Sequence, residues 1–224
     1  MTISYPRSFP AGAGFITVDF KLGDLSVQNT LESGAIQVME MGEALWSAIF
    51  TTFEMTMADR QRWQAWALTL RLGKPFYAYD PEKVYPAAYG ASVLNLTRAG
   101  GGAYDGTATL AAVTAKTIQL TGLPAAYKAT AGDMLSFPWN GGTALHMVVE
   151  DATASGGGGV TLTVAPPVRL SPSPSISSTV RLVQPVCVMK LKPGTFSAPA
   201  GFQPQSVTFE AVQDITGASA ADYV

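Results

Sequence analysis

Charge is scarce in this chain. Asp, Glu, Lys and Arg make up 13% of its 224 residues, about half of the ~25% usual in a soluble domain. The 14 basic and 16 acidic residues leave a net charge of -2 and form no long run. This gives no electrostatic footprint for nucleic acid or anionic lipid, so no sequence-specific nucleic-acid partner is expected. One cysteine, Cys187, forbids an internal disulfide, and one histidine, His146, forbids a multi-histidine metal site. The apolar stretches fall well short of the ~18 residues of a membrane span, and Met1 to Pro6 lack the basic-then-apolar order of a secretory signal. The expectation is synthesis in the cytoplasm without membrane insertion.

Glycine (22) and proline (15) are abundant instead, together roughly 17% against a usual ~12%. This rules out a coiled coil and favours strands joined by turns. So poorly charged a surface fits a protein covered by other subunits. It equally fits a compact β domain dressed in Ser, Thr, Gly and Gln.

Composition divides the chain. Residues 1–89 hold 14 of the 22 aromatic residues and 16 of the 30 charges, whereas residues 90–186 hold 4 and 9. With Pro86 and Pro185 at its ends, the middle segment reads as an inserted domain, 90–186, within a discontinuous outer domain of 1–89 and 187–224. The only low-complexity run, Ser155 to Gly159, reads as a flexible hairpin tip.

In the outer domain, Phe15 to Leu22 alternates with period two, which predicts a half-buried strand carrying Ile16, Val18, Phe20 and Leu22 on one face. Ala35 to Met41 repeats the pattern, and Leu45 to Met55 predicts a longer strand. Thr56 to Gly73 predicts a helix: Thr56 caps it, Asp59 complements its positive end, and Gly73 ends it. Trp63, Trp66, Ala67 and Leu70 then share one stripe, which predicts core packing over nucleic-acid stacking. The middle segment predicts strands near 107–113, 117–120, 133–137, 144–150, 160–164 and 179–183, a spacing that suits a small barrel or sandwich.

No enzyme signature is present. His146 with Asp133 or Glu150 would suggest a base and its orienting carboxylate, but a lone histidine in a strand reads as structural; Cys187, in the apolar run Pro185 to Val188, reads as a buried inert thiol, and the carboxylates lack two-metal or EF-hand spacing. Neither glycine run is followed by the Lys-Ser or Lys-Thr of a phosphate loop. The expectation is no catalysis, no cofactor and no metal.

The succession Phe15 to Asp19, Gly34 to Glu40, Trp46 to Phe50, the 56–73 helix and Phe76 to Pro81 resembles the N-terminal half of distal tail proteins of long-tailed bacteriophages. Ala131 to Phe137, His146 to Asp151 and Gly159 to Arg169 are similar to the β domain inserted in many of them, and residues 182–192 resemble the return into the tail-tube-like fold. The glycine-rich run at 155–159 departs from the pattern.

The resemblance implies a mainly β fold: a tail-tube-like β-sandwich or barrel flanked by one helix, with an OB-like or carbohydrate-module-like barrel inserted. It implies a virion protein at the tail tip, forming a homo-oligomeric ring, usually a hexamer. Its partners would be the tail tube protein, the tail-tip hub protein and tail fibres, and it would line the DNA channel. Uncharged strand edges mark Ile36, Val38, Trp46, Ile49 and Phe50 as expected assembly residues. The alternative is a carbohydrate-binding module gripping a host-surface sugar through Tyr104, Tyr127 and Trp139.

Overall fold

The computed structural model describes residues 3–12, 14–201 and 203–216. The fold is mainly β, with a closed six-stranded barrel. In chain order, β1 (Phe15–Leu22) leads into a hairpin of β2 (Ser26–Thr30) and β3 (Ile36–Glu40), then β4 (Trp46–Thr52), α1 (Met57–Thr69) and β5 (Pro75–Ala78). After two short 3-10 turns come β6 (Thr107–Val113), β7 (Thr117–Thr121), β8 (Lys128–Ala129), β9 (Met134–Trp139) and β10 (Gly142–Val148). Then follow β11 (Ala152–Thr153), β12 (Val160–Ala165), β13 (Thr179–Arg181), β14 (Cys187–Leu191) and β15 (Thr208–Gln213).

A five-stranded sheet in the order β1-β4-β15-β14-β5 forms the outer layer. Alternation along β4 explains its core. Trp46, Ala48, Phe50 and Thr52 point inward, while Ser47, Ile49 and Thr51 lie on the other face. The inward face packs against α1, whose Trp63, Trp66 and Ala67 are buried beside Phe76, Phe209 and Met189. Phe50 stacks on Phe209 at 5.0 Å, and the two indoles meet edge to face at 5.3 Å. Thr56 caps α1 by accepting the Asp59 amide, while its hydroxyl donates to the Asp59 carboxylate at 2.8 Å. The helix ends at Thr69, and the chain turns through a 3-10 turn in which Leu72 and Gly73 both have positive φ.

The barrel closes in the order β10-β12-β7-β6-β13-β9 around Leu110, Leu120, Leu135, Phe137, Leu162 and Val180. It is not a detached module. Leu135 and Phe137 of β9 fill the barrel, while Met134 of β9 and Leu145 of β10 belong to the outer-domain core. A strand covered on both faces reads as a continuous apolar run, as Met134 to Phe137 nearly does. Ser136 in that run earns its burial by accepting the Val186 amide at 3.1 Å.

Ser155 to Gly159 is a bonded turn, not a flexible tip. Gly158 donates to the Ser155 carbonyl and its own carbonyl accepts the Leu123 amide. Gly158 sits at φ +74°, where a Cβ would collide with the Leu123 carbonyl.

Candidate functional site

The hairpin is the first feature of functional interest. β2 and β3 pair only with each other, in the register Val27 to Met39, Gln28 to Val38 and Thr30 to Ile36. Residues directly opposite share a face, so Val27 and Met39 lie on one side and Val38 and Ile36 on the other. All four are exposed, as are Leu31 at the turn and Leu25 and Met41 at the root, at 47–68%. The turn is closed by Leu31 donating to Ala35 and by Gly34 at φ +79° donating to Leu31. This two-stranded element carries exposed apolar side chains on both faces, and no described residue covers either. A lone two-stranded hairpin is marginal in water, and an exposed apolar surface of this kind marks an interaction site.

The sheet edges differ in their protection. At the β5 edge, Arg7 pairs with the strand, donating to Pro75 and accepting from Tyr77. The β1 edge has no strand beyond it among the described residues, and it carries only the Asp19–Lys21 ion pair.

The second feature is a cavity of about 520 Å³ between the barrel, the hairpin root and the end of β15. β10 pairs with β12 only at Met147 and Val148. Nearer its start, the chain from Pro166 to Arg169 runs along the cavity opposite Ala144 to His146. Arg169 forms an ion pair with Glu43 of the hairpin root and lies 5.6 Å over the Trp139 ring. The Trp139 indole donates to the Pro172 carbonyl at 2.7 Å.

His146 lines the same cavity. Its ring stacks on Phe137 at 5.4 Å, and Nδ1 lies 2.8 Å from the Pro166 carbonyl. A carbonyl only accepts, so Nδ1 carries the proton and Nε2 is left with a lone pair. Nε2 is buried without a hydrogen-bond partner. Burial holds the imidazole down, to about 4, against the pull of the Pro166 bond. Among the described residues no carboxylate orients this histidine: Asp133 accepts the Ala87 and Thr130 amides, and Glu150 accepts the Thr163 hydroxyl. Cys187 is fully buried, and burial pushes its thiol well up, away from the reactive thiolate.

The expected assembly residues separate. Ile36 and Val38 are exposed on the hairpin, and Ile49 is partly exposed on the sheet face away from α1. Trp46 (2% exposed) and Phe50 (0%) are core residues and offer no contact surface. The edge expected along Leu45 to Met55 is also corrected: β4 lies between β1 and β15, with its hydrogen-bonding groups facing both. Alternation predicted a half-buried strand at Ala35 to Met41, yet among the described residues no layer covers Ile36 or Val38.

The sugar platform is corrected too. Tyr104 and Tyr127 lie inside the barrel core at 2% and 1% exposure, where neither ring can stack on a ligand. Only Trp139 of the three reaches the surface. Val27, Leu31, Met39 and Met41 were missed as candidates, although the short apolar runs flanking the Glu32-Ser33-Gly34 turn signal a hairpin. No protein-family model matches the chain, and no curated protein matches it.

Proposed function

We propose that this chain is a structural protein of a bacteriophage tail tip, assembled as a homo-oligomeric ring, a hexamer, at the distal end of the tail tube. The observation that carries the reading is the hairpin with apolar side chains on both faces and no cover from the described residues of its own subunit. A neighbouring copy laid against each face would remove those side chains from water, at about 25 cal/mol per Å² of apolar surface. Closed cyclic symmetry uses up such surfaces on every copy and leaves none to propagate. The open β1 edge gives a second place for a neighbour to continue the sheet.

In this reading the ring joins the tube protein to the hub and fibres and lines the channel for DNA, after synthesis in the host cytoplasm. The charge pattern supports it. No Lys or Arg occurs between Lys21 and Arg60, so the hairpin itself carries only negative formal charges, and Glu43 at its root is paired with Arg169. Such a lining lets a polyanion pass without holding it.

Light scattering after size-exclusion chromatography, with negative-stain imaging, tests the proposal. A mass near six subunits and annular particles are expected. A stable monomer at micromolar concentration would overturn it.

A further inference from the structure

Lys21, Ser47, Val212, Lys190 and Pro75 pair in succession, one row across all five strands of the outer sheet. The hairpin leaves the sheet just after Lys21, and the chain from α1 enters it just before Pro75. Both features therefore sit at the same end of the sheet but on opposite edges, about 19 Å apart. The α1 end carries an apolar side chain that its own described residues do not cover. Leu72 is 96% exposed and held at φ +64°, a left-handed conformation that glycine adopts freely past a helix and that costs any residue with a Cβ. Leu68, four residues earlier, is exposed as well. Backbone strain and exposure at one leucine point to a contact outside the subunit. Three cations gather at the same place. Arg7 donates to Thr69 Oγ1 at 2.6 Å, Lys74 lies 4.8 Å over the ring of Tyr5, whose hydroxyl donates to the Thr69 carbonyl, and Arg71 adjoins Leu72. None of the three has an ion-pair partner among the described residues. The hairpin is the opposite: Asp24, Glu32 and Glu40 are its only charges, and Glu32 stands unpaired beside the exposed Leu31, again among the described residues.

We propose that the hairpin of one copy seats on the C-terminal end of α1 of the next, with Leu31 and one apolar hairpin face against Leu68 and Leu72 and the Glu32 carboxylate on Arg71. This inference rests on the ring-assembly reading and names the two surfaces that meet. Opposite edges keep them apart within one subunit. Between copies set edge to edge, the hairpin projects toward the neighbour's helix, its five-residue strands reaching about 17 Å. Contact between unlike surfaces is heterologous, the kind that closes head to tail into a ring. Charge sets the direction: an acidic hairpin is drawn to a cationic helix end and repelled by a second hairpin.

Cys187 is buried, so cysteines introduced at Ser33 and Lys74 are the ones a short bis-maleimide reaches. The full-length chain carrying both Ser33→Cys and Lys74→Cys should cross-link into a ladder that runs up to the mass of the ring, while either substitution alone should give none. A double variant that keeps the parent's assembled mass yet yields no ladder would overturn this contact and leave the ring reading standing. A monomeric parent would overturn both. Leu72→Gly separates contact from fold, because glycine relieves the left-handed strain. The melting temperature of the dilute subunit should hold or rise, while the concentration for half-assembly rises at least roughly tenfold, as the loss of a buried leucine from every interface implies. Arg71→Glu should weaken assembly too, and Glu32→Arg added to it should restore the parent mass. Unchanged assembly in Leu72→Gly, or no rescue by Glu32→Arg, would overturn the contact.

Discussion

The indole Nε1 of Trp46 donates to the carbonyl of Leu145 at 2.8 Å, bridging 99 residues of sequence. One residue lies on β4 of the sheet and the other on β10 of the barrel, so this buried bond ties the sheet to a barrel strand within the outer-domain core. Trp46→Phe keeps an aromatic ring against Phe20 but leaves the Leu145 carbonyl without that donor. A loss of about 1–3 kcal/mol is expected, read as a lower urea midpoint at unchanged slope. A change within about 0.5 kcal/mol, as at an ordinary surface site, would mean that the junction does not depend on this bond.

Gly158 should tolerate no side chain. At φ +74° an alanine costs about 1–2 kcal/mol from backbone conformation alone. Its Cβ would also collide with the Leu123 carbonyl, part of a rigid hydrogen-bonded turn. Gly158→Ala should therefore lower barrel stability by more than that conformational cost. Gly156→Ala, with open space around its Cβ position, should change it little. Thermal unfolding of the pair measures the contrast, and equal melting temperatures would refute it.

These two sites also mark what the sequence conveys and what it withholds. Period-two alternation located β1 and most barrel strands because it records a face, and Thr56 with the Trp63, Trp66, Ala67 and Leu70 stripe located α1 because caps and helical spacing are local. Alternation does not say whether a layer covers that face, so the hairpin read as half-buried. Strand order is equally invisible, since the partners of β4 come from residues 15–22 and 208–213. An aromatic count cannot distinguish the inside of a barrel from its outside, hence Tyr104 and Tyr127. The cavity at His146 depends on Pro166 to Arg169 passing opposite β10, and no local spacing encodes that approach.

Stability should depend on pH through His146. Its imidazole stays neutral in the fold down to about 4, while the unfolded chain protonates near 6.5. Between these values the unfolded state binds more protons, so stability is complete above about 6.5 and falls as pH drops toward 4. The full loss is on the order of 3 kcal/mol. Asp105, held below its ordinary carboxyl range first by the Thr107 hydroxyl, loses its contribution only at lower pH. His146→Phe should flatten the profile between pH 6.5 and 4.5. An unchanged slope would place the titrating group elsewhere.

The last prediction concerns the hairpin, where assembly and folding can be separated. Val38 and Ile36 are exposed, and their strand pairs only with β2, so Val38→Lys or Ile36→Lys removes no contact with either core. Each should change subunit stability by no more than about 0.5 kcal/mol. At an apolar interface the same lysine must be desolvated without a partner, which costs several kcal/mol in each copy and repeats around a closed ring. Both variants should therefore elute as folded monomers with circular dichroism like that of the parent. Replacing 26–40 with a two-residue Gly-Asn turn should act alike, because Met41 already donates to the Leu25 carbonyl and holds the root closed. If the lysine variants keep the parent mass, the hairpin is not the contact, and the β1 edge becomes the surface to mutate next.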